Sequence, residues 1–417
     1  MATKFIKSDR LRLNLSRPLF LFALIFIFSI NLIHAEYYSL EELNFTMDLP
    51  EGFSVSDASE TGDSFFFETK YMPVKFALKI YDEDKYKSPE EVVTDAMSQL
   101  GCNGEIENFD WYKRPVSLTT FAFVLPDQKL YAGWAMAIKA AAKGNSGTSS
   151  AAGKKNKWML FLTYADSTIS RDCDQYMLSI LDSVFFCKED CRRPGPVTTF
   201  AYSSKENTSP ELSAVSLTIG GKTFTSTIAK DAIERSNFVL EREFAVLSVY
   251  ANNPHWKEAW QRYYREVFRE SFNAFDQISR DIYKNLMPTA QRKSPQNPDF
   301  EILKMLLDWV QDFEYKRDRT STDFTAITAA VQGVGSDCDS RSMLMCVLLE
   351  HLGIKTELFI SREYSHAVFG AAVKENGAAI TVDNVNYVLG ETTAKVDFGR
   401  IAQEQSDTAK WIPVDLP

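Results

Sequence analysis

The sequence predicts an α+β chain of two domains: an N-terminal sheet with flanking helices, then helices leading into a second α+β domain. Three observations predict it. Apolar and polar residues alternate with period 2 in segments between residues 74 and 164. Apolar residues recur at three- and four-residue spacing from about residue 254 to 313 and form a run after Cys338. A stretch rich in Pro, Ser, Thr and Gly, from Arg192 to about Ser213, separates the two patterns. With 45% hydrophobic and 24% charged side chains, the 417 residues suit folded domains and exclude a disordered or collagen-like chain.

The chain opens with five basic side chains and one acidic one, all before an almost wholly apolar run from Pro18 to Ile33. Ile33-His34-Ala35 supplies a small residue at a cut position and Glu36 begins polar sequence, the tripartite pattern of a secretory signal peptide. An uncleaved anchor is the competing reading, because sixteen residues come close to spanning a bilayer. Either way the bulk of the protein is expected outside the cytoplasm, periplasmic or extracellular, touching membrane only through this segment. Removing the segment from 46 basic and 56 acidic residues leaves 41 and 55, a formal charge of −14. Such a surface repels phosphate backbones, so no nucleic-acid partner is expected.

Residues 36–191 read as the first domain. Val74, Phe76, Leu78 and Ile80 alternate with Lys75, Ala77 and Lys79 as in a half-buried strand, and Phe121–Leu125, Leu130–Ile138 and Trp158–Tyr164 are further strands. Pro126-Asp127-Gln128 is the expected turn. Ser88-Pro89-Glu90-Glu91 places a cap, a first-turn Pro and a Glu three residues after the cap, starting a helix that ends near Gly101. A second helix is expected from about Ser170 to Val184. The small, basic segment from Ala140 to Lys157 reads as a hairpin loop rather than a phosphate cradle. The six cysteines permit disulfides in an exported protein, Cys187 and Cys191 being closest in sequence. No second Cys pair or His lies near enough to complete a zinc site. This sheet with helices, after Met47-Asp48-Leu49-Pro50-Glu51-Gly52-Phe53, loosely resembles the sandwiches of the photosystem-associated PsbP and Mog1 class. That resemblance implies a binding or positioning module without catalytic residues.

The linker spans 192–213 and the second domain 214–417. Asn253-Pro254 is expected to cap a long helix whose aromatic stripe, Trp256 to Phe275, reads as core, with Pro288 ending it. A helix from about Pro298 to Phe313 follows. After Gly333 and Gly335 comes Ser336-Asp337-Cys338-Asp339-Ser340-Arg341, then an apolar helix closed by Gly353. A thiol in a first helical turn faces unpaired N–H groups and the positive dipole end, which favour thiolate, while Asp337 and Asp339 oppose it if their carboxylates point toward the sulfur. Cys346, two turns deeper, reads as inert core. The histidines are His34, His255, His351 and His366. His34 lies in the leader, His255 beside Trp256, and His351 at the far end of the Cys338 helix, nearly 20 Å of rise away. His366 is the remaining base, opening a strand that continues to Val373. Ile380–Val382 and Val385–Leu389 form a hairpin around Asp383-Asn384, and Glu391 follows the second strand.

This order resembles the transglutaminase-like branch of the papain-like cysteine enzymes. Gly335-Ser336-Asp337-Cys338-Asp339-Ser340 with Leu352-Gly353-Ile354 is similar to that superfamily's Gly-Asp-Cys-Asp-Asp…Leu-Gly-Ile signature. Trp309–Tyr315 resembles its Phe-Val-Gln-x-x-x-Tyr stretch, Ser365-His366-Ala367-Val368 its His strand, and Tyr387–Thr393 a variant of its acidic ending. The match covers about residues 300–417. It implies Cys338 as nucleophile, His366 as base and then acid, and Glu391 as the carboxylate that orients the imidazole, with Asp383 the alternative. It also implies an oxyanion hole from the Cys338 N–H, with Gln311 a candidate side-chain donor. The expected activity is cleavage or transfer at amide bonds of a protein or peptide through a thioester, without cofactor or metal. The alternative is an inactive module that binds a protein or cell-wall partner.

Overall fold

The computed structural model describes residues 37–125, 128–141, 155–202, 211–316 and 324–417. The leader, the Pro126-Asp127 part of the expected turn and most of the 140–157 loop lie outside the described residues. Among the described residues no helix is long and apolar enough to cross a membrane. The chain is α+β and divides into two compact units. The first holds the described residues of 37–44 and 51–178, the second 45–50 and 179–417. The boundary therefore falls at Leu178/Ser179 rather than at 191/192, and a six-residue stretch near the N-terminus belongs to the second unit.

Strands β1 (Tyr37–Leu40) and β2 (Phe45–Asp48) open the described chain. Five elements follow in the first unit: β3 (Ser54–Ala58), β4 (Ser64–Glu68), β5 (Val74–Asp82), α1 (Pro89–Leu100) and β6 (Glu107–Trp111). Then come β7 (Arg114–Val124), β8 (Leu130–Ala140) and β9 (Lys157–Asp166). Strands β3 to β9 build one antiparallel seven-stranded sheet in the order β3-β4-β5-β9-β8-β7-β6. Helix α1 begins as its residues require: Ser88 Oγ accepts from the Glu91 N–H at 3.2 Å, and Gly101 closes it in the left-handed region. Such a cap contributes about 1 kcal/mol. Val92, Val93, Ala96 and Met97 then pack with Phe121, Ala135, Ala137 and Leu160 of the sheet.

Helix α2 (Asp174–Asp182) contains the boundary, and β10 (Val184–Phe185) pairs antiparallel with β2 within the second unit. Where a linker was expected, α3 (Pro196–Tyr202) and the start of an antiparallel hairpin, β11 (Leu212–Ile219) and β12 (Lys222–Ala229), are present. Gly220 and Gly221 both take positive φ and make its turn, a two-residue hairpin signal inside a region expected to be helical.

Helices α4 (Ala232–Ser248), α5 (Trp256–Phe272), α6 (Asp276–Lys293) and α7 (Pro298–Gln311) follow. The long helix expected from 253 to 288 is thus two, separated by a tight turn at Asn273–Phe275. Pro288 does not end α6, which continues to Lys293. Within a helix, Pro forfeits one ladder bond and crowds the preceding turn, and buried Leu286 and Ala290 on either side retain the packing.

The aromatic stripe of α5 is core from Tyr263 to Phe272, but its charged residues are buried too. Arg265 grips both carboxylate oxygens of Asp48 at 2.7 and 2.9 Å. Arg262 reaches Glu243 (2.7 Å), Ser179 Oγ (2.9 Å) and the Asp48 carbonyl (2.8 Å). Arg242 bridges Asp182 and Glu243 at 2.8 and 2.6 Å, and Arg269 donates to the carbonyls of Asp182, Val184, Asp190 and Arg193. Buried charges on this scale require dense pairing.

Helices α8 (Ile327–Ala330) and α9 (Cys338–His351) precede β13 (Thr356–Ser361), β14 (His366–Ala371), β15 (Ala379–Val382), β16 (Val385–Gly390) and β17 (Ile412–Val414). These strands form an antiparallel sheet in the order β15-β16-β14-β13-β17. Helix α9 packs on β14 and β13, and Met343 to Leu349 are all buried, an apolar helix enclosed on every side.

Candidate functional site

Asp337 is the N-cap of α9. Its Oδ1 accepts from the Ser340 N–H at 2.7 Å while Ser340 Oγ accepts from the Asp337 N–H at 2.9 Å, a reciprocal capping box. Cys338 is therefore the first helical residue, and Gly335, at φ 111°, makes the bend that delivers it. A Cβ on Gly335 would lie 2.9 Å from the Lys316 side chain. Ser342, one turn on, donates to the Ala367 carbonyl at 3.2 Å and so ties the head of α9 to the head of β14. His366 is the first residue of β14.

The His366 ring bonds Glu391: Nε2 to Oε2 is 2.7 Å, with the two side chains 12% and 6% exposed. Gly390 makes this approach feasible by leaving space for the Phe369 ring, which would stand 2.1 Å from an added Cβ. Glu391 Oε1 in turn accepts from the N–H and the hydroxyl of Thr393, both at 2.6 Å. Burial pushes the Glu391 carboxyl up, but His366 and the Thr393 donors outweigh it and hold it below its ordinary range. An ionised carboxylate only accepts hydrogen bonds, so Nε2 carries the proton of the neutral imidazole and Nδ1 bears the lone pair. Trp411 flanks the ring at 6.3 Å. Asp383, by contrast, sits in the β15–β16 turn at φ 48°, where its charge acts on Glu357; the alternative carboxylate is not the partner of His366.

Two expectations need correction. Gln311 is buried with its amide nitrogen donating to the carbonyls of Glu391 (2.8 Å) and Val396 (2.9 Å). Both N–H groups are occupied, so Gln311 anchors the segment carrying the carboxylate instead of facing an oxyanion. The second correction concerns the thiol. Cys338 is 5% exposed, and its Sγ donates to Asp339 Oδ1 at 3.6 Å. Burial, then Asp339 and Asp337, raise its pKa well above the usual thiol range despite the helix terminus. Desolvation and two adjacent carboxylates outweigh the dipole. Asp337 itself, 2% exposed and beside Asp339, is pushed up to about 7 by burial and that neighbour.

Arg341 is an anchoring residue beside the candidate site that pattern reading passed over. Almost wholly buried, it donates to Ser336 Oγ (2.8 Å) and to the carbonyls of Thr392 (3.1 Å) and Phe313 (2.5 Å). It thereby joins the segment before the cysteine, the segment after Glu391 and the end of α7. The single Arg or Lys of this apolar helix, one turn after a candidate nucleophile, was the available signal. His351 has structural surroundings: its Nε2 lies 3.0 Å from the Phe272 carbonyl and its ring stacks on Phe272. Cys346 is fully buried, and no disulfide joins the cysteines among the described residues. Among the described residues no group of three or more His, Cys, Asp or Glu side chains is placed to hold a metal. A cavity of about 520 Å³ opens beside the approach to α9, with Ser216, Trp309, Asp312, Glu314, Gln332 and Gly335 in its wall.

No protein-family model matches the chain, and no curated protein matches it. Among solved structures it is similar to the solution structure of cyanobacterial PsbP (CyanoP) from Synechocystis sp. PCC 6803. That match has 12% identity, 37% of this chain and 95% of the other covered, and a TM-score of 0.28. A second is a putative protease from Parabacteroides distasonis ATCC 8503, at 10% identity and TM-score 0.18. It covers 79% of this chain, and the chain spans 64% of that protein.

Proposed function

We propose that the second unit is a transglutaminase-like thiol enzyme acting on amide bonds of a protein or peptide, with Cys338, His366 and Glu391 as its triad. The observation that carries the reading is the buried 2.7 Å His366–Glu391 pair at the start of the strand to which the cysteine helix is tied. Glu391 holds the ring with Nε2 protonated, leaving Nδ1 to take the thiol proton as Sγ attacks the carbonyl carbon. The leaving amine receives that proton from Nδ1, and the thioester passes to water or to a second amine. Hydrolysis is favoured because water is the ubiquitous acceptor. The chain is exported, by this reading, with the first unit a binding or positioning module.

A second reading, a binding module for a protein or cell-wall component, is favoured by one observation: the resting thiol bonds Asp339. Alkylation of each cysteine by iodoacetamide across pH, in wild type and His366→Ala, separates the two. The enzyme reading expects Cys338 to react much faster than Cys346 near neutral pH and to lose that advantage in the variant. Labelling at Cys338 that ignores His366 would reject it.

A further inference from the structure

The hairpin of β11 and β12 turns at Gly220-Gly221, so Ile219 and Lys222 form its closing hydrogen-bonded pair. Hydrogen-bonded and non-hydrogen-bonded pairs alternate along an antiparallel ladder. Leu217, Val215 and Ser213 therefore bond across to β12, and the 2.9 Å bond from the Lys230 N–H to the Glu211 carbonyl continues the same alternation. Ala214, Ser216 and Thr218 consequently turn both N–H and C=O away from β12. No third strand joins this sheet among the described residues. Sheet edges are ordinarily guarded by Lys, Pro, a bulge or a covering element. Strand β11 reads Leu-Ser-Ala-Val-Ser-Leu-Thr-Ile, with no charge, no proline and an unbroken register. Burial of Val215, Leu217 and Ile219 in the core, with β11 packed on α7, holds that open edge in place.

The same edge walls the cavity beside the approach to α9. Ala214, Val215 and Ser216 all line it, as expected where the backbone edge of a strand, rather than one of its faces, meets the space. At about 520 Å³ the cavity is of a size that holds ligands, about 300–1,000 Å³. Asp312, Glu314, Gly333 and Gly335 share its wall. Asp312 is paired with Lys395 at 2.7 Å, whereas the exposed carboxylate of Glu314 has no hydrogen-bond or ion-pair partner among the described residues. A Cβ on Gly333 would meet nothing within 4 Å, so this stretch of wall is open. We propose that β11 is a docking edge for an extended peptide, which adds to the hairpin as a third strand through the N–H and C=O groups of Ala214 and Ser216 and sets a Lys or Arg side chain beside Glu314. In this mode main-chain pairing supplies affinity and the side-chain contact supplies selectivity. The site goes beyond the thiol-enzyme reading and uses no member of the triad, so it stands whether or not Cys338 is a nucleophile. Gly335 borders the cavity and makes the bend that delivers Cys338, so a peptide seated there lies beside the segment leading to the thiol.

The test is calorimetric titration of the full chain with the blocked peptide acetyl-Thr-Val-Lys-Val-Thr-amide, whose β-branched residues favour an extended backbone. Binding at or below millimolar peptide is expected, and its absence overturns the proposal. Strand addition engages the amides of alternate peptide residues only. Two N-methylated versions are therefore compared, one blocked at both Val amides and one at the Thr and Lys amides. One should lose binding and the other keep it; equal behaviour of the two overturns the proposal. Ser216→Pro deletes an outward N–H and no ladder bond, and should weaken binding about tenfold. Thr225→Pro, at the cross-strand neighbour on the other edge of the hairpin, should leave binding unchanged. Equal effects of the two proline variants, or none from Ser216→Pro, would overturn the docking edge. Glu314→Gln should weaken the Lys peptide about two- to fivefold and spare a version with norleucine in place of Lys; equal effects on both would overturn the choice of a basic side chain. Cys346 serves as the fold gauge. If it becomes reactive in Ser216→Pro, the N-methylated pair and Glu314→Gln, which leave β11 untouched, decide the outcome. Iodoacetamide labelling of Cys338 that ignores His366 would reject the thiol-enzyme reading alone, so the two failures are distinguishable.

Discussion

Replacing Asp339 with Asn should make Cys338 more reactive, by an amount the geometry bounds. The carboxylate oxygen lies 3.6 Å from Sγ. At that distance, like charges repel by about 1 kcal/mol in water and by about 5 kcal/mol at the effective dielectric of a partly buried protein site. Each 1.4 kcal/mol is a tenfold change in proton affinity, so thiolate at fixed pH should rise between about sevenfold and about two-thousandfold. A less basic thiolate is also a weaker nucleophile, which cancels roughly half of each decade. The net gain in alkylation rate is then between about threefold and about forty-fivefold. Asn is nearly isosteric, and the cap at Asp337 is untouched. The assay is mass-spectrometric iodoacetamide labelling of Cys338 from pH 6 to 9, with Cys346 as internal reference. A change under about twofold would refute the assignment of Asp339 as a group that, with burial, helps keep the thiol protonated. Slower labelling would show that Asp339 draws the proton off the thiol.

Glu357 on β13 is 2% exposed, and burial, with Asp415 the next cause, pushes it from its ordinary 4.5 up to about 8. Its favourable contribution is full below about pH 4.5 and is lost as pH climbs through about 8, so Glu357→Gln should match wild type near pH 4 and be more stable at pH 9 by up to about 5 kcal/mol. Urea unfolding of both proteins at those pH values checks it, and parallel pH profiles would sink it. Glu391→Ala strips His366 and two Thr393 donors of their acceptor and should cost about 2–4 kcal/mol near neutral pH. Because the fold holds Glu391 below its ordinary range, that loss should be full above the unfolded value and shrink as pH falls through the folded one. A pH-independent difference in unfolding free energy would contradict this.

Local chemistry made much of the fold legible. Ser88 with Glu91 and Gly101 marked both ends of α1, alternation marked β5 and β7 to β9, and Asp383-Asn384 marked a hairpin whose two central residues do take positive φ. Cys338 at a helix start and His366 at a strand start were legible because the flanking Asp, Gly and apolar runs set those boundaries. What escaped depends on partners distant in sequence. The charged residues of α5 look solvated until Asp48, Glu243 and carbonyls from 182 to 193 surround them. Gln311 was a plausible oxyanion donor until folding supplied carbonyls 80 and 85 residues away. Burial of the thiol, which reverses the influence of the helix terminus, has no local signature at all.

The pairing of Arg265 with Asp48 crosses 217 residues of chain. The second unit is consequently not a contiguous stretch that a gene fragment beginning at residue 179 could encode. Such a fragment would leave a buried guanidinium without either of its carboxylate oxygens and β10 without its strand partner β2. During synthesis, the Asp48 segment must wait until α5 has emerged before its charge is neutralised. Closure of so long a loop makes this contact a late event in folding. A minimal expression boundary for the catalytic candidate accordingly starts upstream of Phe45, and shorter versions would report on a damaged core rather than on the chemistry of Cys338.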